Sequence, residues 1–227
     1  MFEVDKSKNT TETDYLARLW VPLFEILLSA GNNIIRLKSG ESVSVHSRAA
    51  KRMCYNEKGH VIAFKIDIRF VVEYKSVEYD VGAGELAKFF PDDIKLFGDE
   101  CKLIREGKEV VDTLVNIYNG ESSDRDPVGY VIQMNGPNAE IASVHLPKPY
   151  LYVAVPESKV YIPKSIATLA PFLETLNNLL IFKTKMEKNA QHILNSLENI
   201  EARRISVGGK FGRPTPSTTP SYKATWT

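Results

Sequence analysis

The feature that most limits the fold is the stretch Val61–Glu73, in which apolar and polar residues alternate. Ile62, Phe64, Ile66, Ile68 and Phe70 fall on one side, and Lys65, Asp67 and Arg69 on the other. A period of two marks a strand with one face in a core. Ser76–Val81 repeats the pattern, with Val77, Tyr79 and Val81 opposed to Glu78 and Asp80. The link at Lys75 is short, so the two runs are expected to pair as an antiparallel hairpin. Its polar face then carries Asp67, Glu78 and Asp80.

Helical spacing surrounds this hairpin. Leu16, Leu19, Trp20, Leu23, Ile26 and Leu27 predict a first helix, capped at Thr13 or Asp14 and running to about Ala30. Pro22 inside it predicts a kink or a late start, and Gly31-Asn32 a stop. Ser42–Arg48 reads as a strand, followed by a basic run over Arg48–Arg52. Asp93–Tyr118 reads as a helix that buries Ile104, Val111, Leu114 and Val115 and solvates Lys102, Arg105, Glu106 and Glu109. Gly107 inside it marks close packing or the close approach of a ligand. Gly120–Pro127 is expected to be a loop. Val128–Met134 and Glu140–His145 form a strand pair across the turn Asn135-Gly136-Pro137-Asn138, and Leu151–Val155 with Val160–Ile162 a third pair. A long helix from Thr168 or Pro171 to Arg204 closes the order.

The expected fold is therefore α/β (α+β): a mixed central sheet with an αβββαβ-like core, extra β-hairpins and a long C-terminal helix. Residues 1–13 read as a flexible arm and 14–204 as one domain. Residues 205–227, rich in Gly, Pro, Ser and Thr, read as a disordered tail. In the long helix, Met186, Ala190, Ile193, Leu197 and Ile200 recur at spacings of four and three. That seam serves either a homodimer or contact with the chain's own sheet.

Composition narrows the chemistry. A formal net charge of +1 argues neither for nor against a nucleic-acid partner. The two cysteines, Cys54 and Cys101, have no CxxC neighbour, and the four histidines show no HExxH spacing, which argues against a zinc centre. There is no Gly-x-Ser-x-Gly elbow and no P-loop. The N-terminus has no apolar core of a secretory signal, and the longest apolar run, Leu19–Ala30, is too short to span a bilayer. An intracellular protein, nuclear or cytoplasmic and with no membrane partner, is the expectation.

What remains is the acidic hairpin. Asp67 lies on one strand; Asp80-Val81-Gly82-Ala83-Gly84-Glu85-Leu86-Ala87-Lys88 continues the next. With a turn near Lys75, Asp67 falls opposite Gly82–Gly84, close to Glu85. Glycines there allow a sharp bend or the approach of a ligand. Carboxylates around a divalent cation, with a lysine beside them, are what phosphodiester cleavage needs. The cation offsets charge on the phosphorane and activates water, and the lysine adds to that stabilisation.

The order of elements and these residues resemble the PD-(D/E)XK nuclease superfamily. The chain is also similar to uncharacterised fungal proteins with an Asp-x-Arg-Phe strand, a Gly-Glu-x-x-Lys step and a Lys-Leu-x-Arg-Glu-Gly-Lys helix, here Lys102–Lys108. The resemblance implies a Mg²⁺- or Mn²⁺-dependent nuclease with Asp67, Asp80 and Glu85 as metal ligands and Lys88 as the charge-stabilising lysine. Arg69, Lys102, Arg105 and Lys108 are the nucleic-acid contacts it implies. The family pattern is Glu-x-Lys, whereas this chain has Glu85-x-x-Lys88. On a regular strand those two point to opposite faces, and they meet only if a bulge or helical turn begins near Glu85. Glu73-Tyr74-Lys75 lies too close to Asp67 along the same strand to serve. The alternatives are an inactive nuclease fold that acts as a binding or assembly module, and an ordinary hairpin whose acids are its solvated face. On that last reading Lys102–Glu106 and Arg105–Glu109 are i,i+4 pairs of an exposed helix.

Overall fold

The computed structural model describes residues 10–42, 65–87, 93–118, 126–163 and 169–208. The expected strand beyond Ser42, the Arg48–Arg52 run, Val61–Phe64, Lys88, most of the Gly120–Pro127 loop, and residues 1–9 and 209–227 lie outside the described residues.

The chain is an α/β fold built on one mixed six-stranded sheet. In chain order its elements are α1 (Glu12–Tyr15), a π-helical turn (Leu16–Trp20), α2 (Val21–Ser29), β1 (Arg36–Ser42), β2 (Ile66–Tyr74), β3 (Val77–Ala87), α3 (Asp93–Tyr118), β4 (Val128–Asn135), β5 (Asn138–Lys148), β6 (Leu151–Tyr161) and α4 (Phe172–Gly208). The strands lie side by side in sequence order. All neighbours are antiparallel except β3 and β4, which run parallel. A parallel pair needs a crossover, and α3 supplies it.

The N-terminal helix starts at a capping box. The Thr11 hydroxyl accepts from the Asp14 N–H while the Asp14 carboxylate accepts from the Thr11 N–H. The bend expected at Pro22 takes the form of a widened turn just before it, where Val21 N–H reaches back to Leu16 O. The turn keeps Leu19 and Trp20 in the core, and the Trp20 indole donates to Gly136 O at 2.8 Å. The β2–β3 hairpin closes with Lys75 and Ser76 both at positive φ, the tight reversal expected from sequence.

Two layers cover the sheet. On one face Phe70 of β2 meets Phe24 of α2 and Phe182 of α4 edge to face, at 5.1 and 5.6 Å between ring centroids. Met186, Ala190 and Ile193 of α4 are fully buried in this core. The first three residues of the α4 seam therefore pack on the chain's own sheet, while Leu197 and Ile200 are half-buried. Gly82 and Gly84 serve the same layer, because a Cβ at Gly82 would lie 2.6 Å from Met186 Sδ and one at Gly84 3.2 Å from Ile132 Cγ2. They admit core side chains rather than a ligand.

On the other face α3 lies across β3, β4 and β5. It buries Leu103, Val110, Val111, Leu114 and Ile117. Ile104 and Val115, expected inside, are half-buried, while Glu106, expected in solvent, is 7% exposed. The register is set by Gly107, which meets Gly129 of β4. A Cβ on Gly129 would lie 2.2 Å from Gly107 O, and one on Gly107 would lie 2.6 Å from Val144 Cγ2. The helix backbone thus rests directly on the sheet backbone. Leu151–Val155 and Val160–Ile162 are not a hairpin of their own. Leu151–Tyr161 is one strand paired along β5, with an irregularity opposite Ile141 and Ala142.

Gly129→Ala should force α3 off the sheet. Chemical denaturation should show a loss of at least about 1–3 kcal/mol, the usual cost of overpacking. An unchanged midpoint would mean that the close approach does not carry the layer.

Candidate functional site

The polar face of the hairpin is shaped by one extra residue. From the turn to Val71 the pairs run Tyr74↔Val77, Glu73↔Glu78, Val72↔Tyr79 and Val71↔Asp80. Beyond the irregularity they become Phe70↔Gly82, Arg69↔Ala83 and Ile68↔Gly84. Val81 is the inserted residue of a bulge. Without it Asp80 and Glu85 would sit on opposite faces, because they are an odd number apart. With it Glu78, Asp80, Ala83 and Glu85 all share the α3 face with Asp67 and Arg69. The ladder ends at Ile68↔Gly84, and beyond it the Asp67 carboxylate accepts from the Leu86 N–H, next to Glu85.

Asp67 and Glu85 are held differently. The Leu86 N–H donates to Asp67 Oδ2 at 2.9 Å, which fixes that carboxylate and leaves its other oxygen outside this bond. Glu85 is 6% exposed. Its Oε1 accepts from Lys102 Nζ at 3.1 Å, and its buried Oε2 has no hydrogen-bond partner among the described residues. Burial, and next the charge of Asp67, push the Glu85 carboxyl up to about 7. Burial also raises the Asp67 carboxyl. The pair is coupled, and at neutral pH it is short of positive charge.

The positive charge comes from α3. Lys102 Nζ lies 2.9 Å from Asp99 Oδ1 as well as 3.1 Å from Glu85. Asp99 is 5% exposed, and its Oδ2 faces Lys95 Nζ at 3.9 Å. Lys95 in turn pairs with Glu12 in the first turn of α1. Charges therefore alternate along Glu12, Lys95, Asp99, Lys102 and Glu85, across α1, α3 and β3. Ala87, two residues beyond Glu85 on the same strand face, is fully buried. That is where a Glu-x-Lys motif on a regular strand would put its lysine, and Lys102 reaches Glu85 from the helix instead.

Other expected site residues lie apart. Asp80 accepts from Arg69 Nε at 2.7 Å. It belongs to a second ionic cluster in which Glu78 meets Lys38 at 2.7 Å, Arg69 at 4.0 Å, and Arg36. Five residues of strand separate Asp80 from Glu85, on the order of 15 Å, too far to share one ion. Arg69 is 4% exposed among these acids, so it cannot reach a phosphate backbone as a surface contact. Lys108, 8% exposed, is bound to Asp112 Oδ2 at 2.5 Å and lies 4.8 Å from the ring centre of Tyr152. Lys102 turns toward Asp99 and Glu85 rather than Glu106, and Arg105 is half-buried. The four cations expected to form a phosphate-binding row do not form one.

Asp99, Lys95 and Glu12 were not singled out from the sequence. The spacing Lys95, Asp99, Lys102 carried a legible sign, since i,i+4 and i,i+3 partners share a helix side. Which strand that side would face depended on the Gly107 contact.

Among the described residues no three His, Cys, Asp or Glu side chains converge as a ready metal cage. Two hard carboxylates, one with a buried and unpartnered oxygen, nonetheless suit Mg²⁺ or Mn²⁺, which keeps several waters and often takes only one or two protein carboxylates. Among the described helices none is long and apolar enough to cross a membrane. No protein-family model, no curated protein and no solved structure matches the chain.

The raised Glu85 carboxyl has a thermodynamic consequence. Folding holds its proton more tightly than the unfolded chain, whose carboxyl titrates near 4.5. Stability linked to this group is present below about 4.5 and is lost as pH rises to about 7. Glu85→Gln should therefore match wild type in acid and exceed it in stability above neutrality, by about 2–3 kcal/mol at most. Thermal unfolding across that window checks this, and parallel curves for the two proteins would refute it.

Proposed function

We propose that the chain is a metal-dependent, nuclease-like hydrolase of nucleic-acid phosphodiester bonds. The observation that carries the reading is the pair of half-buried Asp67 and buried Glu85 on adjacent strands, met by Lys102 from the helix that crosses over to the parallel strand β4. Helix, three-stranded meander, helix and parallel strand is also the element order of the nuclease core that the sequence resembles. Asp67 and Glu85 would hold Mg²⁺ or Mn²⁺, and the ion supplies positive charge at the reacting phosphate and lowers the pKa of water. In this reading Lys102, rather than Lys88, places a cation beside the non-bridging oxygens as they gain charge. With the ion bound Glu85 would be ionised, and its Oε2, which makes no hydrogen bond among the described residues, is the oxygen that would meet the ion or its water. Asp67, fixed by Leu86 N–H, orients the other side of the site. Asp80, tied to Arg69, supports the hairpin and has no part in the chemistry. An intracellular setting, nuclear or cytoplasmic, suits such a substrate.

One observation favours a second reading, a catalytically silent nuclease fold that serves as a binding or assembly module. The Lys102 ammonium already pairs with both Glu85 and Asp99, and a proton on Glu85 would balance them without any other cation.

Calorimetric titration of Mn²⁺ into the wild-type protein and an Asp67→Ala, Glu85→Ala double variant separates the two. On the hydrolase reading the wild type binds the ion and the double variant does not. Cleavage of labelled DNA or RNA oligonucleotides should fall by on the order of a hundredfold or more in Asp67→Ala and in Lys102→Met, and remain in Asp80→Asn. Binding and cleavage that survive in the double variant would sink the assignment. Absence of both in the wild type, with oligonucleotide present during the titration, would favour the silent module.

A further inference from the structure

The anchor of Lys102 lies on its own helix. Its side chain is 39% exposed, and an unanchored lysine would follow its solvation outward. Two acceptors, Asp99 at 2.9 Å and Glu85 at 3.1 Å, keep it inside. Asp99 is not the usual member of a surface i,i+3 pair, because such carboxylates stay in water and contribute little. Here the carboxylate is 5% exposed. Its two oxygens face two lysines, one helical turn to either side, Lys102 at 2.9 Å and Lys95 at 3.9 Å. Lys95 is itself tied to Glu12. Asp99 Oδ1 is thus bonded to Lys102, while its buried Oδ2 makes no hydrogen bond among the described residues and has the Lys95 charge 3.9 Å away, on a helix whose seat on the sheet is fixed at Gly107.

We propose that Asp99 is the positioning residue of the site: its carboxylate holds the Lys102 ammonium against Glu85, and Lys102 acts on the phosphodiester only while it is held there. The proposal rests on the hydrolase reading of Asp67, Glu85 and Lys102. Asp99 itself does not touch substrate. Its neighbours are Lys95 and Lys102 on α3, Glu12 on α1, and Glu85 and Asp67 on the hairpin, so its removal leaves three carboxylates and two lysines free to re-pair. The closest new partner for Lys102 would be Glu85 alone, a single oxygen with no second point to fix the direction of approach.

The test is a lysine side-chain ¹⁵N–¹H spectrum of the full-length protein, with the Lys102 ammonium identified by its absence in Lys102→Met. The wild-type ammonium should be ordered and slow to exchange. Asp99→Asn should make it mobile or broaden it beyond detection while the amide spectrum stays native, and Glu85→Gln should leave it ordered. An ordered ammonium in Asp99→Asn, or its loss in Glu85→Gln, overturns the proposal. Should Asp99→Asn fail to fold, the Glu85→Gln spectrum decides alone. With a fluorescent oligonucleotide and Mn²⁺, Asp99→Asn should lower kcat about tenfold or more with KM unchanged, as a displaced catalytic group does. In a Lys102→Met background it should lower kcat no further. Losses that multiply would overturn the proposal. If the wild type cleaves nothing, the hydrolase reading fails, and the ammonium spectra still decide whether Asp99 holds Lys102.

Discussion

The contact between Gly107 and Gly129 governs both the α3 layer and the site. Where side chains separate a helix from a sheet, small shifts can be absorbed by rotamers; where backbone meets backbone they cannot. The absence of a Cβ at both positions lets α3 come down onto β4, with Val131 and Val144 closing in around Gly107. From that point the helix runs about one and a half turns back toward its N-terminus before it reaches Lys102. The seat fixes the height and rotation at which Lys102 and Asp99 meet Glu85. It also fixes Leu103 and Val110 as core residues and leaves Ile104 between core and solvent.

The bulge at Val81 does the complementary work on the sheet. It moves Glu85 to the face that α3 covers and keeps Glu78 and Asp80 on that same face, where they gather Arg69, Arg36 and Lys38. Two ionic clusters therefore share one side of the hairpin. In the cluster near the turn the acids meet three cations, one of them a buried arginine. The cluster beneath α3 has more acid than base. An imbalance of that kind in a buried place is costly for stability, and it is common where a chain keeps a site for a ligand.

Much of the fold was legible because its elements obey strong local rules. The alternation over Ile66–Glu73, the Lys75 reversal, the Asn135-Gly136 turn and the long helix follow from periodicity and turn chemistry, although the helix runs on from the expected end at Arg204 to Gly208, so residues 205–208 belong to it and not to a disordered tail. The bulge was not legible, because an inserted residue leaves the hydrophobic pattern readable in either register. For the same reason Asp67 and Glu85 were paired from the sequence while Asp80 was placed with them and Lys102 was not. The position of Lys102 follows from helix rotation, which Gly107 and Gly129 fix across a sequence gap that no local pattern spans. The β6 strand was misread as two because Pro156-Glu157-Ser158 has the composition of a turn, yet an edge strand tolerates a proline that an inner one would not.

A count of charge links the two functional readings. Among the described residues named here, Glu12, Asp67, Glu85 and Asp99 bring four carboxylates, and Lys95 and Lys102 bring two ammonium groups, which leaves two negative charges when all are ionised. The excess leaves two ways to reach balance beneath α3: a proton on Glu85 or an added cation. The first is favoured by burial, and next by the Asp67 charge, which together push the Glu85 carboxyl up to about 7. The second would trade that proton for a metal ion and leave Glu85 ionised beside it. Proton and cation would then compete for the same oxygen, so metal binding on the hydrolase reading would release a proton and weaken as pH falls.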